Sequence, residues 1–526
     1  MPVPAVSAKR PAARPAAPKT PAANGKLAAA TTQAAPASSP APALVFGDLW
    51  PYDPAPETAE GNIRPEYGLF INGQEVAPKG GQTFDSINPA NEKIVSRISL
   101  AGKEDVDAAF TAAQAAFDGP WGRMPGAERG KYLFRIARLL QDRAREFAVA
   151  ETLDSGKPIK EARDFDVPVA AAHFFYHAGW ADKLEYAFPG PRRPLPLGVV
   201  GQIIPWNFPL LMLAWKLAPA LACGNCAVLK PAETTSVTAL KFAEILRDAE
   251  LPPGVVNFVC GAGEVGALVA GHPLAAKVAF TGSTGVGKAI LREAAAAGKK
   301  LTLELGGKAA NIVFDDAPID QAVEGVINGI YFNQGHVCCA GSRLLVQESI
   351  ADAFVTKLKT RLASLRVGDP LDKNTDVGAI NSRGQLERIR TLVEAGKQEG
   401  AEFYQPPGCR LPDKGYWFAP SIFTGVTPSH RVAREEIFGP VLSVLTFRTL
   451  EEAVEKANNT AYGLSAGVWT DKGSRILQMS TLLKAGVVWA NTFNQFDPSS
   501  PFGGYKESGF GREGGRQGLG AYVKLG

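Results

Sequence analysis

Short apolar runs alternate with amphipathic segments between residues 100 and 300, and this alternation constrains the fold more than any other feature of the chain. Buried strands are predicted at residues 226–229, 255–260 and 277–281, and helices at residues 104–117, 126–150, 235–248 and 284–297. Strands that alternate with helices form a parallel sheet with helices on both faces. The chain is therefore predicted to be α/β, and its 526 residues are enough for two large lobes.

The net charge of +4 comes from the N-terminal segment. Residues 1–46 contain five basic and no acidic side chains, out of 56 basic and 52 acidic side chains in the whole chain. The remaining residues therefore carry 51 basic against 52 acidic side chains, a net charge of −1. A nearly neutral body gives no electrostatic basis for nucleic-acid binding.

Residues 1–60 are predicted to form a disordered tail, because their first part is rich in Ala and Pro and poor in large apolar residues. A transit peptide is also basic and free of acids. However, prolines at positions 2, 4, 11, 15, 18 and 21 would interrupt its amphipathic helix. We expect a cytoplasmic protein, with an organellar one as the alternative.

Two patterns invite a membrane or metal interpretation that we reject. Residues 194–215 carry no charge, but glycines and prolines interrupt them, so we predict a buried strand, a turn and a helix instead of a membrane span. Cys223 and Cys226 have C-x-x-C spacing, but no second pair accompanies them. We therefore expect no metal site there.

Cys338 and Glu304 are the candidate reactive pair. The apolar period from Pro318 to Tyr331 predicts a helix that Gly335 stops, which places Cys338 just beyond a rigid helix end. A cysteine and a glutamate in glycine-marked settings suggest a nucleophile and a base that activates water. The alternative is a buried structural thiol, which we favour for the neighbouring Cys339.

Two glycine-rich turns, residues 261–266 and 282–287, separate predicted strands from helices. The first fits G-x-G-x-x-G, which alone is as compatible with an ordinary tight turn as with a phosphate site. A helix that opens at the second turn would present unpaired N–H groups to a pyrophosphate.

These motifs resemble the NAD(P)-dependent aldehyde dehydrogenase superfamily from about Tyr67 to Tyr522, and the chain is most similar to the catalytic half of the family-16 group. The matching stretches are residues 201–209, 230–233, 280–284, 303–308, 332–341, 436–440 and 501–506. The resemblance implies an aldehyde dehydrogenase-like fold with two Rossmann-like parallel-sheet lobes and a reduced oligomerisation arm. The implied parts are an NAD-binding domain (61–177 and 197–307), the arm (178–196), a catalytic domain (308–507) and a C-terminal segment (508–526).

The resemblance also implies the chemistry. Cys338 would attack an aldehyde, the Asn207 amide and the Cys338 N–H would hold the oxyanion, and Glu304 would activate the water that hydrolyses the thioester. Lys216 and Glu513 resemble a proton-exit pair, although a structural salt bridge is an equal alternative.

The cofactor implied by the resemblance is NAD. Glu233 would accept hydrogen bonds from the adenosine ribose and repel a 2′-phosphate, which argues against NADP. Gly285 stands where the family usually has glutamate, and we prefer Ser283 as the phosphate contact. The implied cofactor-binding residues are Ile203, Trp206, Lys230, Glu233, Gly263, Gly282, Ser283, Gly287, Leu305, Glu436 and Phe438.

Five aromatic residues fall at positions that resemble the family's substrate tunnel, although buried aromatic residues are as often plain core. Together they suggest an apolar tunnel with no charge dedicated to the substrate: Phe208, Trp215, Phe332, Phe496 and Phe502.

Two other functions stay open: a CoA-acylating dehydrogenase, against which Glu304 argues, and a non-catalytic scaffold, against which Cys338 argues. Prolines in the short arm, with the chain stopping at Gly526, predict a homodimer or a complex with a related dehydrogenase chain instead of a strand-linked tetramer.

Overall fold

The computed structural model describes residues 54–526, and the predicted α/β fold is confirmed there. Residues 1–53 of the predicted tail lie outside the described residues. The prediction is wrong for residues 54–60, which pack on the body of the protein. The Lys373 N–H donates to the Ala55 carbonyl at 3.0 Å, and the Glu57 N–H donates to the Leu371 carbonyl at 2.8 Å.

The strands are numbered in chain order. They are β1 Glu66–Tyr67, β2 Leu69–Ile71, β3 Gln74–Val76, β4 Thr83–Ile87, β5 Ile94–Ser99, β6 Pro194–Pro196, β7 Val199–Ile203, β8 Cys226–Lys230, β9 Val256–Phe258, β10 Ala275–Thr281, β11 Lys300–Glu304, β12 Ala310–Val313, β13 Arg343–Gln347, β14 Glu402–Tyr404, β15 Ser421–Thr424, β16 Val441–Phe447, β17 Tyr462–Gly463, β18 Ser465–Trp469, β19 Val487–Ala490, β20 Tyr505–Lys506, β21 Gly509–Phe510 and β22 Val523–Leu525.

The α-helices are numbered in the same way. They are α1 Lys103–Asp118, α2 Pro120–Arg123, α3 Gly126–Asp142, α4 Ala144–Ser155, α5 Ile159–Glu161, α6 Val167–Trp180, α7 Leu184–Ala187, α8 Pro209–Ala222, α9 Val237–Asp248, α10 Gly263–Gly271, α11 Thr284–Ala296, α12 Ile319–Tyr331, α13 Ala351–Ala363, α14 Arg383–Gln398, α15 Arg431–Arg434, α16 Leu450–Asn458, α17 Gly473–Leu482 and α18 Gly515–Leu519. A π-helical turn spans Ala162–Asp166, and 3₁₀ turns span Glu233–Thr235, Phe332–Gly335, Glu348–Ile350 and Gly520–Tyr522.

The first large sheet has the strand order β21-β11-β10-β7-β8-β9-β2-β3. Its five central strands are parallel, and β7 and β8 are buried along their whole length, as apolar strands covered on both faces must be. The C-terminal segment adds β21 antiparallel to β11. The carboxyl ends of β7, β10 and β11 meet at one edge, which is where open α/β sheets bind ligands.

The second sheet has the order β14-β15-β16-β13-β12-β18-β19 and is parallel except for β14. The chain passes from the first sheet to the second between Glu304, the last residue of β11, and Ala310, the first of β12. The predicted boundary at residue 307 falls in this connection. Smaller sheets are β1-β5-β4, β17-β20 and β22-β6.

Two predicted helices have different bounds. The segment 126–150 is two helices, α3 and α4, because the backbone of Arg143 leaves the helical region (φ −104°, ψ 18°). The helix before Cys338 ends at Tyr331, four residues before Gly335, and the following turn places Asn333 and Gln334 in the left-handed region. The apolar period runs through the break at Arg143, whereas the one before Cys338 stops at Tyr331, where the helix ends, and Gly335 marks the later turn.

The arm at residues 178–196 is short. Its strand β6 has three residues, of which Pro194 and Pro196 have no N–H to donate, and it pairs antiparallel with β22. Residues 199–215 form a buried strand, a turn and the start of α8, as predicted, and β6 precedes them. Within residues 54–526, none of the helices has the length and hydropathy that crossing a bilayer requires.

Candidate active site

A cleft of about 490 Å³ opens where the carboxyl edge of the first sheet meets the loop that carries Cys338. It brings together residues from many separate segments of the chain. The lining residues are Phe165, Pro205, Trp206, Asn207, Phe208, Leu211, Met212, Trp215, Thr281, Gly282, Ser283, Thr284, Gly285, Glu304, Leu305, Gly306, Val337, Cys338, Cys339, Gln385, Arg388, Glu436, Phe438, Tyr462, Phe496 and Phe502.

Cys338 lies half-buried in the wall of this cleft. A Cβ on Gly307 would lie 2.3 Å from the Cys338 carbonyl oxygen, so glycine is required for the close approach of the two segments. Cys339 is buried, with its Sγ 3.8 Å from Asn494 Oδ1. A hydrogen bond with Cys338, together with burial, raises the pKa of the Cys339 thiol well above its usual range. Of the two neighbours, Cys338 is the accessible thiol.

Asn207 comes immediately before the buried helix α8, and its side chain reaches the Cys338 loop. Its Nδ2 donates to the His336 carbonyl at 2.8 Å, and its own carbonyl accepts a hydrogen bond from Asn333 Nδ2 at 2.8 Å. The predicted oxyanion donor and the predicted nucleophile therefore line the same cleft, and hydrogen bonds join Asn207 to the loop that carries Cys338.

Glu304, the last residue of β11, is buried, and neither of its carboxylate oxygens has a hydrogen-bond partner among residues 54–526. Burial raises the pKa of the Glu304 carboxyl well above its usual range, and repulsion from Glu513 raises it further. A carboxyl with this proton affinity and free oxygens is suited to general base catalysis at neutral or higher pH.

Lys216 and Glu513 form a buried ion pair with Nζ and Oε1 2.5 Å apart. They do not line the cleft, but both charges act on Glu304, since Glu513 raises its pKa and Lys216 lowers it. The structure thus brings the predicted proton-exit pair next to the predicted base.

The second glycine-rich turn forms one wall of the cleft. Ser283 caps α11 by accepting a hydrogen bond from the Val286 N–H at 3.5 Å, and a Cβ added to Gly285 would meet nothing within 4 Å. The absence of glutamate at 285 therefore leaves open space at the helix start. Gly287 packs against Leu305, where a Cβ would come within 2.4 Å of that side chain.

Glu436 faces the same wall and is held by the backbone. Its Oε1 accepts the Gly307 N–H at 2.9 Å, and a Cβ on Gly306 would lie 2.4 Å from its Oε2. Burial raises the pKa of the Glu436 carboxyl to about 7. Phe438 adopts a left-handed backbone (φ 56°) and meets Trp206 edge to face at 5.2 Å between ring centroids.

The remaining predicted cofactor residues lie outside the lining of the cleft, at the ends of the neighbouring strands. Lys230 ends β8, its Nζ is 3.7 Å from Glu233 Oε2, and the Glu233 side chain is half exposed. Ile203 ends β7 and Gly263 opens α10. This edge of the sheet has a glycine-rich turn, the N-terminus of α11, and the carboxylate acceptors of Glu233 and Glu436. These groups match what the phosphates and the two riboses of a dinucleotide require.

Four of the five aromatic residues expected at a substrate tunnel line the cleft. Phe208, Trp215, Phe496 and Phe502 line the cleft, whereas Phe332 stacks behind Phe208 at 6.2 Å between ring centroids. Sequence reasoning missed Phe165. This residue lies in the π-helical turn, and its ring meets those of Phe208, Phe332 and Phe496 at 5.3 to 6.3 Å between centroids.

Other lining residues were also missed, for two reasons. Leu211 and Met212 follow Phe208 by one helical turn, so the period of α8 could have identified them. Gln385, Arg388 and Tyr462 come from distant segments and carried no sequence signal. Among the described residues, no group of three or more His, Cys, Asp or Glu side chains could hold a metal ion.

Comparison with known proteins gives a consistent result. The sequence profile of the aldehyde dehydrogenase family matches residues 76–525. An aldehyde dehydrogenase of Alternaria alternata is 44% identical over 478 residues, covering 89% of this chain and 96% of that protein. The mitochondrial aldehyde dehydrogenase of Rattus norvegicus is 45% identical, with coverage of 87% and 90%. The NAD⁺ complex of a Bacillus cereus aldehyde dehydrogenase superposes with a TM-score of 0.85 at 43% identity, covering 88% and 96%.

Proposed function

Because the chain belongs to the aldehyde dehydrogenase family, we propose that it oxidises an aldehyde to a carboxylic acid with NAD, through a thioester on Cys338 that water hydrolyses. The observation that carries this proposal is the placement of Cys338, Asn207 and Glu304 around one cleft. Each supplies a different function: a nucleophile, an oxyanion donor and a base with free oxygens.

In the first half of the reaction, the Cys338 sulfur attacks the aldehyde carbon. The carbonyl oxygen becomes an oxyanion, which the Asn207 amide and the Cys338 backbone N–H stabilise. Asn207 Nδ2 donates one of its two hydrogens to the His336 carbonyl, which leaves the other for the oxyanion.

The dinucleotide would be held along the edge formed by β7, β8, β10 and β11. Ser283 and the start of α11 would take the pyrophosphate, Lys230 and Glu233 the adenosine ribose, and Glu436 the second ribose, with Phe438 beside the ring. Ile203, Trp206, Gly263, Gly282, Gly287 and Leu305 would shape this edge. When bound, NAD supplies the acceptor for the hydride that leaves the substrate carbon.

In the second half, Glu304 takes a proton from a water molecule, whose oxygen attacks the thioester carbon and displaces the Cys338 thiolate. The Lys216–Glu513 pair then receives the proton from Glu304. A CoA-acylating enzyme would need no such base, so the buried, unbonded Glu304 carboxyl favours hydrolysis.

NAD is proposed over NADP because of Glu233. Its half-exposed carboxylate near Lys230 would accept the ribose hydroxyls and repel a 2′-phosphate. Comparison of kcat/KM for the two cofactors tests this, and a preference for NADP would contradict it.

The substrate is proposed to be an aldehyde with an apolar tail, since Phe165, Phe208, Trp215, Phe496 and Phe502 surround the tunnel. Purified protein should form NADH with aliphatic or aromatic aldehydes in the absence of CoA. No NADH with a panel of both, or NADH only when CoA is present, would overturn the proposal. A scaffold without catalysis predicts the first of these outcomes.

Assembly is proposed to be a homodimer, or a complex with a related dehydrogenase chain. The support is β6, which is three residues long and includes two prolines, so it offers little edge for pairing between subunits. Sedimentation of the protein alone tests this, and a stable tetramer at low concentration would contradict it.

A further inference from the structure

A buried group of charged side chains, which we call the Lys157 centre, lies behind the wall of the tunnel. It consists of Lys157, Glu151, Glu161 and Asp166, and none of the four is more than 8% exposed. It lies outside the lining of the cleft, and the chemistry described above does not use it. Buried charges are costly unless they are paired, so this arrangement requires an explanation.

One ammonium group compensates several carboxyl groups. Lys157 Nζ is 2.5 Å from Asp166 Oδ2, 3.5 Å from Glu151 Oε1 and 4.4 Å from the centroid of the Phe208 ring. Burial alone would lower the pKa of Lys157, but the charges of Asp166 and Glu151 raise it above its usual value. Lys157 therefore stays charged at the back of the tunnel wall.

Two of the carboxyl groups each accept a backbone N–H from a segment of the active site. Glu151 Oε2 accepts the Leu210 N–H at 3.2 Å, in the first turn of α8. Glu161 Oε2 accepts the Asn333 N–H at 2.9 Å, in the left-handed turn that precedes Cys338. The Lys157 centre is thus hydrogen-bonded both to the start of α8, which follows Asn207, and to the turn that precedes Cys338.

A chain of hydrogen bonds joins these two segments. Asn333 Nδ2 donates to the Asn207 carbonyl at 2.8 Å, and Asn207 Nδ2 donates to the His336 carbonyl at 2.8 Å. Any shift of α8 or of the left-handed turn would therefore move the Asn207 amide relative to Cys338.

We propose that Lys157 is a positioning residue, whose ammonium group pairs with Asp166 and Glu151 and so fixes the carboxyl groups whose contacts hold the Asn207 amide at the Cys338 loop. This role rests on the proposed function, since it acts on the stabilisation of the oxyanion. It predicts a specific defect in carbonyl chemistry. A merely structural ion network would weaken every property of the site together.

The test compares a double variant with a matched control. Lys157→Met/Asp166→Asn removes both members of the closest ion pair and keeps Glu151 and Glu161. The control, Lys160→Met, removes a lysine from the same segment whose Nζ pairs with Asp376 at 2.5 Å, away from the cleft. Three properties are measured for each: the single-turnover rate of NADH formation, the Kd for NAD, and the rate of Cys338 alkylation by iodoacetamide, which forms no oxyanion.

We expect the double variant to slow single turnover by at least about tenfold, because misplacing an oxyanion donor affects only the carbonyl step. Its Kd for NAD and its alkylation rate should stay within about threefold of wild type, and Lys160→Met should match wild type in all three. An unchanged single-turnover rate, or equal losses in all three properties, would overturn the role.

If the double variant does not fold, Glu161→Leu and Glu161→Gln test whether the contacts of the Lys157 centre position the active site. Glutamine keeps an acceptor for the Asn333 N–H and leucine does not, so glutamine should recover most of the single-turnover rate lost in the leucine variant. Equal losses would overturn the role. A wild-type protein that forms no NADH would refute the proposed function and this role with it, whereas an active wild type with unaffected variants would refute this role alone.

Discussion

Two buried lysines flank the reactive pair, and their surroundings differ. Lys216 meets one carboxylate, Glu513, and Lys157 meets Asp166, in both cases with Nζ and O 2.5 Å apart. Lys216 stands beside the free carboxyl of Glu304, which has no hydrogen-bond partner among the described residues. Near Lys157, by contrast, two carboxyl groups are bonded to the backbone.

The difference separates carboxyl groups that hold structure from one that can react. Burial raises the pKa of Glu151 and of Glu161 to about 8, but each accepts a backbone N–H that fixes it in place. Glu304 has a raised pKa and no such bond, so its oxygens are available to water. A raised pKa alone does not identify a catalytic base. The carboxylate oxygens of Glu304 do, because they have no hydrogen-bond partner among the described residues.

The largest effect is expected from Cys338→Ala. This variant removes the nucleophile, on which the proposed roles of both the Lys216 and the Lys157 surroundings depend. Without the sulfur there is no thioester, so turnover should fall by at least about 10⁴-fold and no NADH burst should form. Stopped-flow NADH measurements and mass spectrometry of the protein after reaction with aldehyde test this. A covalent acyl adduct on the variant would place the nucleophile elsewhere.

Glu304→Gln should separate the two halves of the reaction. The variant keeps Cys338 and Asn207, so it should still give a burst of about one NADH per site, while steady-state turnover falls by roughly 10² to 10⁴-fold for lack of a base. If burst and steady state fall equally, Glu304 instead activates Cys338.

Much of the Glu304 side of the site could be predicted from the sequence. Glu304, Cys338 and Asn207 lie in short motifs, and all three line the cleft. Lys216 and Glu513 were expected from the family resemblance, and they form an ion pair that acts on Glu304. The parallel sheet was also readable, because buried strands are nearly continuous apolar runs.

The Lys157 side could not be predicted in the same way. Glu151 lies just beyond the predicted helix 126–150, Asp166 lies in no predicted element, and Phe165 depends on a π-helical turn that no pattern marks. The left-handed Asn333 was also hidden, because the apolar period ends at Tyr331 and nothing in residues 332–334 marks the turn. Contacts between distant segments decide these features, and a single sequence does not encode them locally.

Lys216→Met should have a smaller effect, visible in the pH profile. Glu304 works as a base when ionised, so deacylation increases as pH rises through its pKa. Lys216 lowers the pKa of Glu304 and Glu513 raises it, so Lys216→Met should move the rising limb of kcat to higher pH and Glu513→Gln should move it to lower pH. The NADH burst should change little in either variant. Shifts in the same direction would show that the pair acts through structure.

The smallest effect is expected from Cys339→Ser, although its sulfur is adjacent to the nucleophile in sequence. Cys339 is 1% exposed, and its Sγ faces Asn494 Oδ1 at 3.8 Å. Its side chain therefore packs the Cys338 loop against the segment that carries Asn494. A serine hydroxyl can donate to the same oxygen, but it is smaller and more polar, which should lower the free energy of unfolding by about 1 kcal/mol. kcat should stay within about threefold of wild type, because the hydrogen bond with Cys338 and burial keep Cys339 protonated, and no step requires it. Thermal unfolding and NADH bursts measured on the same sample test this. A folded Cys339→Ser variant without a burst would mean that the nucleophile has been assigned to the wrong one of two neighbouring cysteines.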